Sequence, residues 1–383
     1  MINRKYPVLP TLLIGLMLLV ISCNQEKEEK EQEKIIYPVT NDFLVDSMAT
    51  EETVALYEFL HSFAGTGTMF GHQDDLAYGI GWSAETDSSD VKAVCGDYPA
   101  VFGWDLGDIT RENNLDGVNF DKMVDWMKLI NDMGGIITIS MHLDNPITNQ
   151  NAWDNSEAVP NILPGQPDNM KYRIILEYIA EFLERLKTTE GTYIPVILRP
   201  YHEHNHTWAW WGANSCTADE YNALWRMTVE YLRDESNLHH LLYAISPQDI
   251  SSAEEYLARY PGDEWVDIFG MDSYSLWNLS AVTNLGQALS TVNELAAERG
   301  KVVALTEVGI ENIPISNWWT DYLLAALTYD EFSRKTVWAL VWRNYTTEHH
   351  FAPYPGHASA ANFIEFYNDS LTYFLGDLQQ AYP

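Results

Sequence analysis

The sequence predicts an α/β protein with the architecture of a closed (β/α)8 barrel, the TIM barrel. Eight short runs of apolar, β-branched or aromatic residues recur along the chain, and segments with apolar residues three and four apart lie between them. Strands that alternate with helices form βα units around a parallel sheet. Eight such units are the number that closes a barrel of this kind.

The predicted elements follow one another in the order that this fold requires. The strands occupy residues 68–71, 100–104, 136–141, 195–199, 241–245, 267–270, 302–305 and 337–341. The clearest helical segments occupy residues 120–132, 172–187, 221–234, 285–299 and 318–329. No repeat and no Gly/Ser-rich or Pro-rich break interrupts the chain after residue 35, so residues 36–383 are predicted to form one barrel domain.

The N-terminal residues carry a targeting pattern rather than a part of the barrel. Arg4 and Lys5 precede an apolar run at residues 11–20, which is about half as long as a membrane-spanning helix. Small residues end this run before Cys23, and the ending resembles a bacterial lipobox. The resemblance implies a lipoprotein signal peptide over residues 1–22 and lipidation of Cys23. A plain signal peptide followed by an incidental cysteine is the alternative.

Residues 23–35 are almost entirely polar and charged, which predicts a solvated tether behind the lipidated cysteine. The expected location is therefore the cell envelope. There the chain would be anchored by its lipid in the outer membrane, on the periplasmic or the surface face, with no other contact to the membrane.

The overall charge narrows the range of partners. The net charge is −33 and no basic stripe is present, which excludes nucleic acid and anionic membrane surfaces as partners and favours an uncharged or cationic ligand. Cys95 and Cys216 are the cysteines that remain after Cys23. The sequence leaves open whether these two form a disulfide.

Polar and aromatic residues stand just beyond each predicted strand. The carboxyl ends of barrel strands converge on one mouth, where barrel enzymes carry their active sites, so the pattern predicts a functional site there. For Gln73 and Asp105, a structural role at the top of the barrel is as well supported as a functional one. The residues concerned are His72, Gln73, Asp105, His142, His202, Glu203, Ser246, Asp272, Tyr274, Glu307, Trp342 and Arg343.

Two glutamates stand out in this ring. Glu203 follows the fourth strand and Glu307 follows the seventh, and these strands lie on opposite sides of an eight-stranded barrel. Their carboxylates are therefore expected to face each other across the mouth. Two facing carboxylates are the equipment of glycoside hydrolysis, in which one donates a proton and the other meets the anomeric carbon.

The aromatic residues near the predicted rim support a sugar ligand. The apolar faces of sugar rings stack on indoles, while polar side chains bind the hydroxyl groups. Trp210 is predicted to pack inside the protein. Trp318 and Trp319 open a helix, and packing is the alternative to a sugar-binding role for both. The rim aromatics are Trp153, Trp208, Trp210, Trp211, Tyr274, Trp277, Trp318, Trp319 and Trp342; Trp208 and Trp211 are candidates for substrate binding.

A competing motif is the H-E-H-N-H sequence at residues 202–206, which matches the H-E-x-x-H zinc signature of metalloproteases. That mechanism requires both histidines one turn apart on a helix. Here Pro200 and a strand-like run stand directly in front, and no helical apolar period passes through the motif. The zinc interpretation is therefore not favoured.

From about residue 35 onward the chain resembles glycoside hydrolase family 26, which consists mostly of β-mannanases. The motifs that carry the resemblance are G-H-Q at 71–73, H-L-D-N-P at 142–146, R-P-Y-H-E at 199–203, T-E-V-G at 306–309 and W-R-N at 342–344. The chain departs from the family at His204, His206 and Ala209, where Met, Gly and Phe are common, and at Met141, where Trp is common. These departures alter the walls of the cleft and leave both glutamates in place.

The resemblance implies a role for each candidate residue and implies no metal or organic cofactor. Glu203 is the expected acid/base and Glu307 the expected nucleophile, with His202 and Tyr274 orienting the two carboxylates. His142, Trp208 and Asp272 are expected near the cleaved bond, whereas Trp342 and Arg343 are expected to hold the sugar on the non-reducing side.

The expected function is retaining hydrolysis of β-1,4-mannosidic linkages in mannan, galactomannan or glucomannan. Either internal cleavage or release of mannobiose is compatible with the sequence, and the loop at residues 145–165, which carries Trp153, is the candidate to block one end of the cleft. The alternatives are a β-1,3-xylanase or mixed-linkage β-glucanase of the same family. A further alternative, of another class, is a surface glycan-binding lipoprotein without catalysis.

Overall fold

The computed structural model describes residues 44–378, and eight parallel strands in this range form a closed barrel. The first strand pairs with both the second and the eighth, which closes the ring. The predicted signal peptide, Cys23 and the tether lie outside the described residues. The barrel strands are β1 (Thr68–Gln73), β2 (Val101–Asp105), β3 (Ile136–Ser140), β4 (Val196–Arg199), β5 (Leu241–Ile245), β6 (Ile268–Ser273), β7 (Val302–Val308) and β8 (Thr336–Val341).

Helices and short strands complete the architecture. All eight predicted strands and all five predicted helical segments are present, although half of the segment predicted at residues 318–329 is a π-helix, Trp319–Leu324. Two short strands, Tyr78–Gly79 and Trp82–Ser83, form a hairpin, and Thr372–Tyr373 pairs with the start of β1. The α-helices are α1 (Glu51–Phe63), α2 (Asp90–Cys95), α3 (Phe120–Met133), α4 (Val159–Ile162), α5 (Asn169–Glu184), α6 (Ala218–Glu230), α7 (Ala253–Leu257), α8 (Leu279–Ala297), α9 (Ala325–Leu327), α10 (Ala360–Tyr367) and α11 (Leu375–Leu378).

A second π-helix, Tyr231–Glu235, extends α6, and 3₁₀ turns occupy Asp263–Trp265 and Ser333–Lys335. Within the described part of the chain, no helix combines the length and the apolar character that crossing a bilayer requires.

The barrel bore is apolar at its amino-terminal end and polar at its mouth. Side chains alternate along each strand, so one set faces the bore and the other packs against the surrounding helices. Helix α1 closes the amino-terminal end, because its apolar face packs into the same cluster as the inward side chains. This cluster includes Leu56, Tyr57, Leu60, Phe63, Met69, Val101, Ile136, Ile197, Leu242, Ile268, Val302, Ala304, Trp338 and Leu340.

A β-bulge in β7 sets the direction of Glu307. Leu305 and Glu307 pair with the consecutive residues Met271 and Asp272 of β6, so Thr306 is an extra residue in the ladder. Without the bulge, Glu307 would share the outward direction of Leu305, which packs in the outer core between strands and helices. With the bulge, Glu307 turns toward the bore.

The bulge is fixed by its neighbours on β6. The Thr306 hydroxyl donates a hydrogen bond to Asp272 Oδ1 at 2.6 Å. Gly270 leaves space for the displaced residue, since a Cβ at that position would lie 2.8 Å from Thr306 Cγ2. The side-chain direction of Glu307 therefore depends on a glycine and a hydroxyl on neighbouring strands.

The two cysteines left open by the sequence do not form a disulfide. Both thiols are free, Cys95 half-buried at the end of α2 and Cys216 buried. Cys95 donates to the carbonyl of Val91 at 3.3 Å, and Cys216 Sγ accepts from the guanidinium of Arg259 at 3.0 Å. Each sulfur is thus occupied by a local partner.

Candidate active site

A cleft of about 820 Å³ opens at the carboxyl-terminal mouth of the barrel. Of the predicted site residues, the structure brings eight together in its lining: His142, His202, Glu203, Trp208, Tyr274, Glu307, Trp342 and Arg343. Asp272 and Trp211, which were also predicted to bind substrate, do not line it. The cleft therefore contains both glutamates and most of their predicted neighbours.

Glu203 is held in a strained turn directly after β4. Tyr201 and Glu203 both have left-handed backbone conformations, with φ of 50° and 52°, which non-glycine residues adopt rarely and mainly at functional sites. The Glu203 N–H donates to the carbonyl of Ser246 at 2.7 Å, and the His206 N–H donates to the carbonyl of Glu203 at 2.9 Å. These bonds hold the acidic side chain over the mouth.

The segment that contains the H-E-H-N-H motif consists of turns and bends rather than a helix. The helical pair of histidines that a metalloprotease needs is therefore not formed. Across residues 44–378, no group of three or more His, Cys, Asp or Glu side chains is arranged to hold a metal ion.

The environment of Glu203 favours its protonated form. Burial, together with the negative charges of Asp272 and Glu307, raises the pKa of Glu203 to about 8. Trp208 acts in the opposite direction, because its indole N–H donates to Glu203 Oε2 at 2.6 Å and so stabilises the charged form. The net result is a carboxyl group that retains its proton at neutral pH.

Glu307 is fixed by two donors. The Arg199 guanidinium donates to Glu307 Oε1, and the Tyr274 hydroxyl donates to Oε2 at 2.7 Å. Both oxygens of this carboxylate are therefore held in a set orientation. The predicted role of Tyr274 in orienting a carboxylate agrees with this contact.

Asp272 is a partner of Arg199 and does not line the cleft, which corrects the prediction that it binds substrate. Its side chain is fully buried beneath the cleft. Asp272 Oδ2 accepts from Arg199 at 2.8 Å and from the Ser246 hydroxyl at 3.0 Å. The carboxylate thus balances the buried guanidinium that holds Glu307.

Trp211 is a packing residue, which corrects the prediction that it binds substrate. Its indole is fully buried, and its N–H donates to the backbone carbonyl of His202 at 2.8 Å. It packs edge-on against Trp210 at 5.2 Å. Trp210, Trp318 and Trp319 are also fully buried, as the packing interpretation predicted.

His142 and His202 form a buried pair beside the glutamates. His142 Nδ1 lies 2.7 Å from Asp105 Oδ2, and its Nε2 lies 3.1 Å from His202 Nε2. Although burial opposes protonation, the Asp105 carboxylate raises the pKa of His142. Burial and the neighbouring His142 charge lower the pKa of His202 well below its usual value. The pair therefore favours a protonated His142 next to a neutral His202.

These contacts bear on the predicted orienting role of His202 and on the roles of Asp105 and Gln73, which the sequence left open. The hydrogen bond of the His202 ring goes to His142 rather than to Glu203, so His202 does not orient the acid directly. Asp105 supports His142 from below and does not line the cleft. Gln73 is buried in the bore, where a Cβ on Gly103 would lie 2.0 Å from its Oε1. Asp105 and Gln73 therefore have structural roles.

Aromatic side chains form one wall of the cleft around His142. Trp153 stacks on His142 with ring centroids 5.4 Å apart, Trp208 stacks at 5.6 Å, and Trp342 meets it edge-on at 5.7 Å. Trp153 is 52% exposed, so its face is available to a ligand. The loop at residues 145–165 thus contributes an aromatic ring to the cleft.

Several residues that line the cleft were missed by the sequence reasoning. Asp116, whose side chain is only 4% exposed, forms an ion pair with Arg343 at 2.9 Å, and burial raises the pKa of Asp116 to about 6. These residues lie inside loops and carry no signal from their distance to a strand end. The others are Asp108, Arg111, Leu115, Gln248, His349 and Phe351. Asp144 of the H-L-D-N-P motif and Asn149, Gln150 and Asn151 of the loop at residues 145–165 also line the cleft, and the sequence pointed to them only as parts of these segments.

Comparisons with known proteins find similar sequences among the glycosyl hydrolases. Residues 45–351 match glycosyl hydrolase family 26. A mannan endo-1,4-β-mannosidase of Bifidobacterium adolescentis is 38% identical over 281 residues, which is 69% of this chain and 27% of that protein. One from Bacillus subtilis is 28% identical over 68% of this chain and 70% of its own length. The chain thus spans about a quarter of the first of these relatives.

Solved structures show the same fold. A GH26 β-mannanase from Bacteroides ovatus has a TM-score of 0.84 and 39% sequence identity, over 87% of this chain and 98% of that chain. A modular endo-β-1,4-mannanase from Cellulomonas fimi has a TM-score of 0.83 and 34% identity, over 88% and 79% of the respective chains.

Replacing Arg199 by Met is expected to destabilise the protein, because Asp272 and Glu307 would remain buried without a counter-charge. We expect the free energy of unfolding in urea at pH 7 to fall by about 3–5 kcal/mol. The double variant Arg199→Met/Asp272→Asn should recover part of this loss. Arg185→Met, which removes an exposed ion pair with Asp121, is the control, with a change within about 1 kcal/mol. Equal stability of Arg199→Met and wild type would contradict the buried network.

Proposed function

The chain belongs to glycosyl hydrolase family 26, and from this premise we propose that it is a retaining mannan endo-1,4-β-mannosidase. The observation that carries the proposal is the pair of carboxyl groups in one cleft, with Glu203 held protonated and Glu307 fixed by two donors. The substrate is proposed to be a β-1,4-linked mannan, galactomannan or glucomannan, or an oligosaccharide derived from one. The names of the Bifidobacterium and Bacillus relatives support this choice.

In the first step, Glu307 attacks the anomeric carbon of the mannosyl unit, and the bond from that carbon to the leaving oxygen breaks. Glu203 transfers its proton to the leaving oxygen, so the reducing-end fragment departs as a neutral alcohol. The product is an ester between Glu307 and the sugar. The raised pKa of Glu203 ensures that the proton is present at neutral pH.

In the second step, a water molecule attacks the same carbon and Glu203 accepts its proton, which releases the sugar with retained configuration. Formation of the ester removes the negative charge of Glu307, and this charge contributes to the raised pKa of Glu203. The pKa of Glu203 therefore falls once the ester has formed. One carboxyl group can thus act first as an acid and then as a base.

The walls of the cleft suit a sugar chain. Trp153, Trp208 and Trp342 offer aromatic surface for the apolar faces of the rings. The Arg343–Asp116 pair offers charged hydrogen-bonding groups on the proposed non-reducing side. The Tyr78 hydroxyl further fixes the guanidinium of Arg343, which lies 3.2 Å from it.

We further propose that the protein is an outer-membrane lipoprotein. The support is the sequence alone: a short apolar run, a lipobox-like ending before Cys23, and a charged tether over residues 23–35. A lipid on Cys23 would place the barrel at the membrane surface through the tether.

Separate substitution of the two glutamates should distinguish their roles on manno-oligosaccharides. Glu307→Ala is expected to lose turnover by a factor of about 10³ or more, since no ester forms. With azide and an aryl β-mannobioside, whose activated phenol departs without a proton from Glu203, Glu307→Ala should yield an α-mannosyl azide and Glu203→Ala a β-mannosyl azide, identified by proton NMR. Glu294→Ala, on the exposed face of α8, is the control with wild-type turnover. First-formed product of inverted configuration from the wild type would rule out retention, and binding of mannan without cleavage would indicate a glycan-binding protein.

The dependence of kcat/KM on pH should follow the protonation of Glu203. Because the acid must carry its proton, kcat/KM is expected to fall above pH about 8. Trp208→Phe removes the donor that stabilises the charged form, so the pKa of Glu203 rises and the basic limb moves to higher pH. Trp265→Phe, in the 3₁₀ turn that precedes β6 and outside the cleft lining, should leave the limb in place. A limb that moves to lower pH in Trp208→Phe would show that another group controls it.

Substitution of Cys23 tests the anchor. Wild-type protein, expressed in a bacterium that has an outer membrane, should fractionate with that membrane and incorporate labelled fatty acid. Cys23→Ala should lose both properties while the soluble form keeps its activity. Cys95→Ala serves as the cysteine control. Incorporation of labelled fatty acid that survives Cys23→Ala would contradict the lipid anchor.

A further inference from the structure

Gln248 lines the cleft from the loop after β5 and has no role in the chemistry described above. We propose that Gln248 is a specificity residue for the sugar on the leaving-group side of the cleaved bond, and that Asn205 is the residue that positions it. The inference rests on the proposed glycosidase function and assigns one side of the substrate to a residue of this chain.

The backbone of Gln248 is held on two sides. The Asn205 side chain donates to the Gln248 carbonyl at 2.8 Å, and the Gln248 N–H donates to Asn205 Oδ1, also at 2.8 Å. On the other side, the Asp272 N–H donates to the Pro247 carbonyl at 3.0 Å, and the Asp249 N–H donates to the Asp272 carbonyl at 3.0 Å. The position of Gln248 is therefore set by four hydrogen bonds around its peptide units.

The side chain of Gln248, unlike its backbone, is not held by hydrogen bonds to the described residues. It is half-buried in the cleft lining and forms no hydrogen bond to another of the residues 44–378. A glutamine amide offers one acceptor oxygen and two donor hydrogens. A rigid backbone that presents an unengaged amide to a cleft is suited to bind sugar hydroxyl groups, which both donate and accept.

The position in the ring places Gln248 on the side of the leaving group. Arg343, which follows β8, and Asp116, which precedes α3, lie in the half of the ring that is proposed to hold the non-reducing side. Gln248 follows β5 in the opposite half, and Asn205 lies two residues beyond the proton donor Glu203. The sugar nearest Gln248 is therefore the one that departs with the proton from Glu203.

The same turn couples Gln248 to the acid. The Glu203 N–H donates to the carbonyl of Ser246, two residues before Gln248. The hydrogen bonds between Asn205 and Gln248 form a second link between the turn after β4 and the loop after β5. The proton donor and the residue proposed to bind the leaving sugar thus share one hydrogen-bonded unit, which fixes the distance between them.

Two substrates separate this role from a structural one. A manno-oligosaccharide places a sugar on the leaving-group side, whereas an aryl β-mannobioside places an activated phenol there. For Gln248→Ala, kcat/KM on the oligosaccharide should fall about tenfold, and kcat/KM on the aryl substrate should stay within about twofold. Asn205→Ala should act in the same direction. Capture of a mannosyl acceptor by the glycosyl-enzyme, measured as the ratio of transfer to hydrolysis, should fall in both variants.

A control variant and the remaining outcomes separate the proposed role of Gln248 from its alternatives. Gln287→Ala removes a glutamine from the outer surface of α8 and should match wild type on both substrates. Equal losses on both substrates for Gln248→Ala would show a structural role and overturn the inference, as would wild-type values on both. A wild-type protein that cleaves neither substrate would instead overturn the proposed function.

Discussion

The buried guanidinium of Arg199 is the interaction on which the mouth of the barrel depends. It contacts Asp272, Ser246 and Glu307, and so joins the carboxyl ends of four successive strands, β4 to β7. Burying charges is costly unless each one has a partner in good geometry. Arg199 provides that partner for two carboxylates at once. It thereby allows Asp272 and Glu307 to remain close enough to Glu203 for their charges to raise its pKa.

Much of the fold and the core of the site follow from the sequence, because both depend on periodicity and on what stands at the end of each strand. The eight strands, their order and the cleft position of Glu203 and Glu307 are of this kind. The errors have another cause. Asp272 also follows a strand run, but its side chain is directed beneath the cleft, toward Arg199. The position of a residue along a strand does not reveal which neighbours compete for its side chain.

Loop residues were the hardest to predict. Asp116 and Gln248 are brought to the cleft by the path of a loop and by hydrogen bonds from distant segments. Such contacts leave no periodic trace in the sequence. The same holds for Trp211, whose place among neighbouring tryptophans suggested a sugar platform. The indole N–H of Trp211 instead donates a hydrogen bond to the backbone carbonyl of His202, in the turn after β4.

The departures at His204 and His206 also gain a physical interpretation. His204 is buried behind the turn that carries Glu203, where its ring lies 4.5 Å from that of Tyr221. Burial, with the nearby charge of Arg259, lowers the pKa of His204 well below its usual value. His206 is only partly buried, and neither residue lines the cleft. These two histidines made the motif conspicuous, yet neither of them belongs to the wall of the cleft.

The bulge at Thr306 makes the register of β7 as important as its composition. If β7 kept every residue and paired regularly with β6, Glu307 would face the apolar layer between the strands and the helices. If Thr306 were deleted instead, Glu307 would directly follow Leu305 and would still face the bore, but Asp272 Oδ1 would lose the hydroxyl that donates to it. In an alignment with a barrel that lacks the bulge, a gap opposite Thr306 therefore keeps residues of the same face together. A gapless alignment would match Glu307 with a residue on the opposite face of the strand.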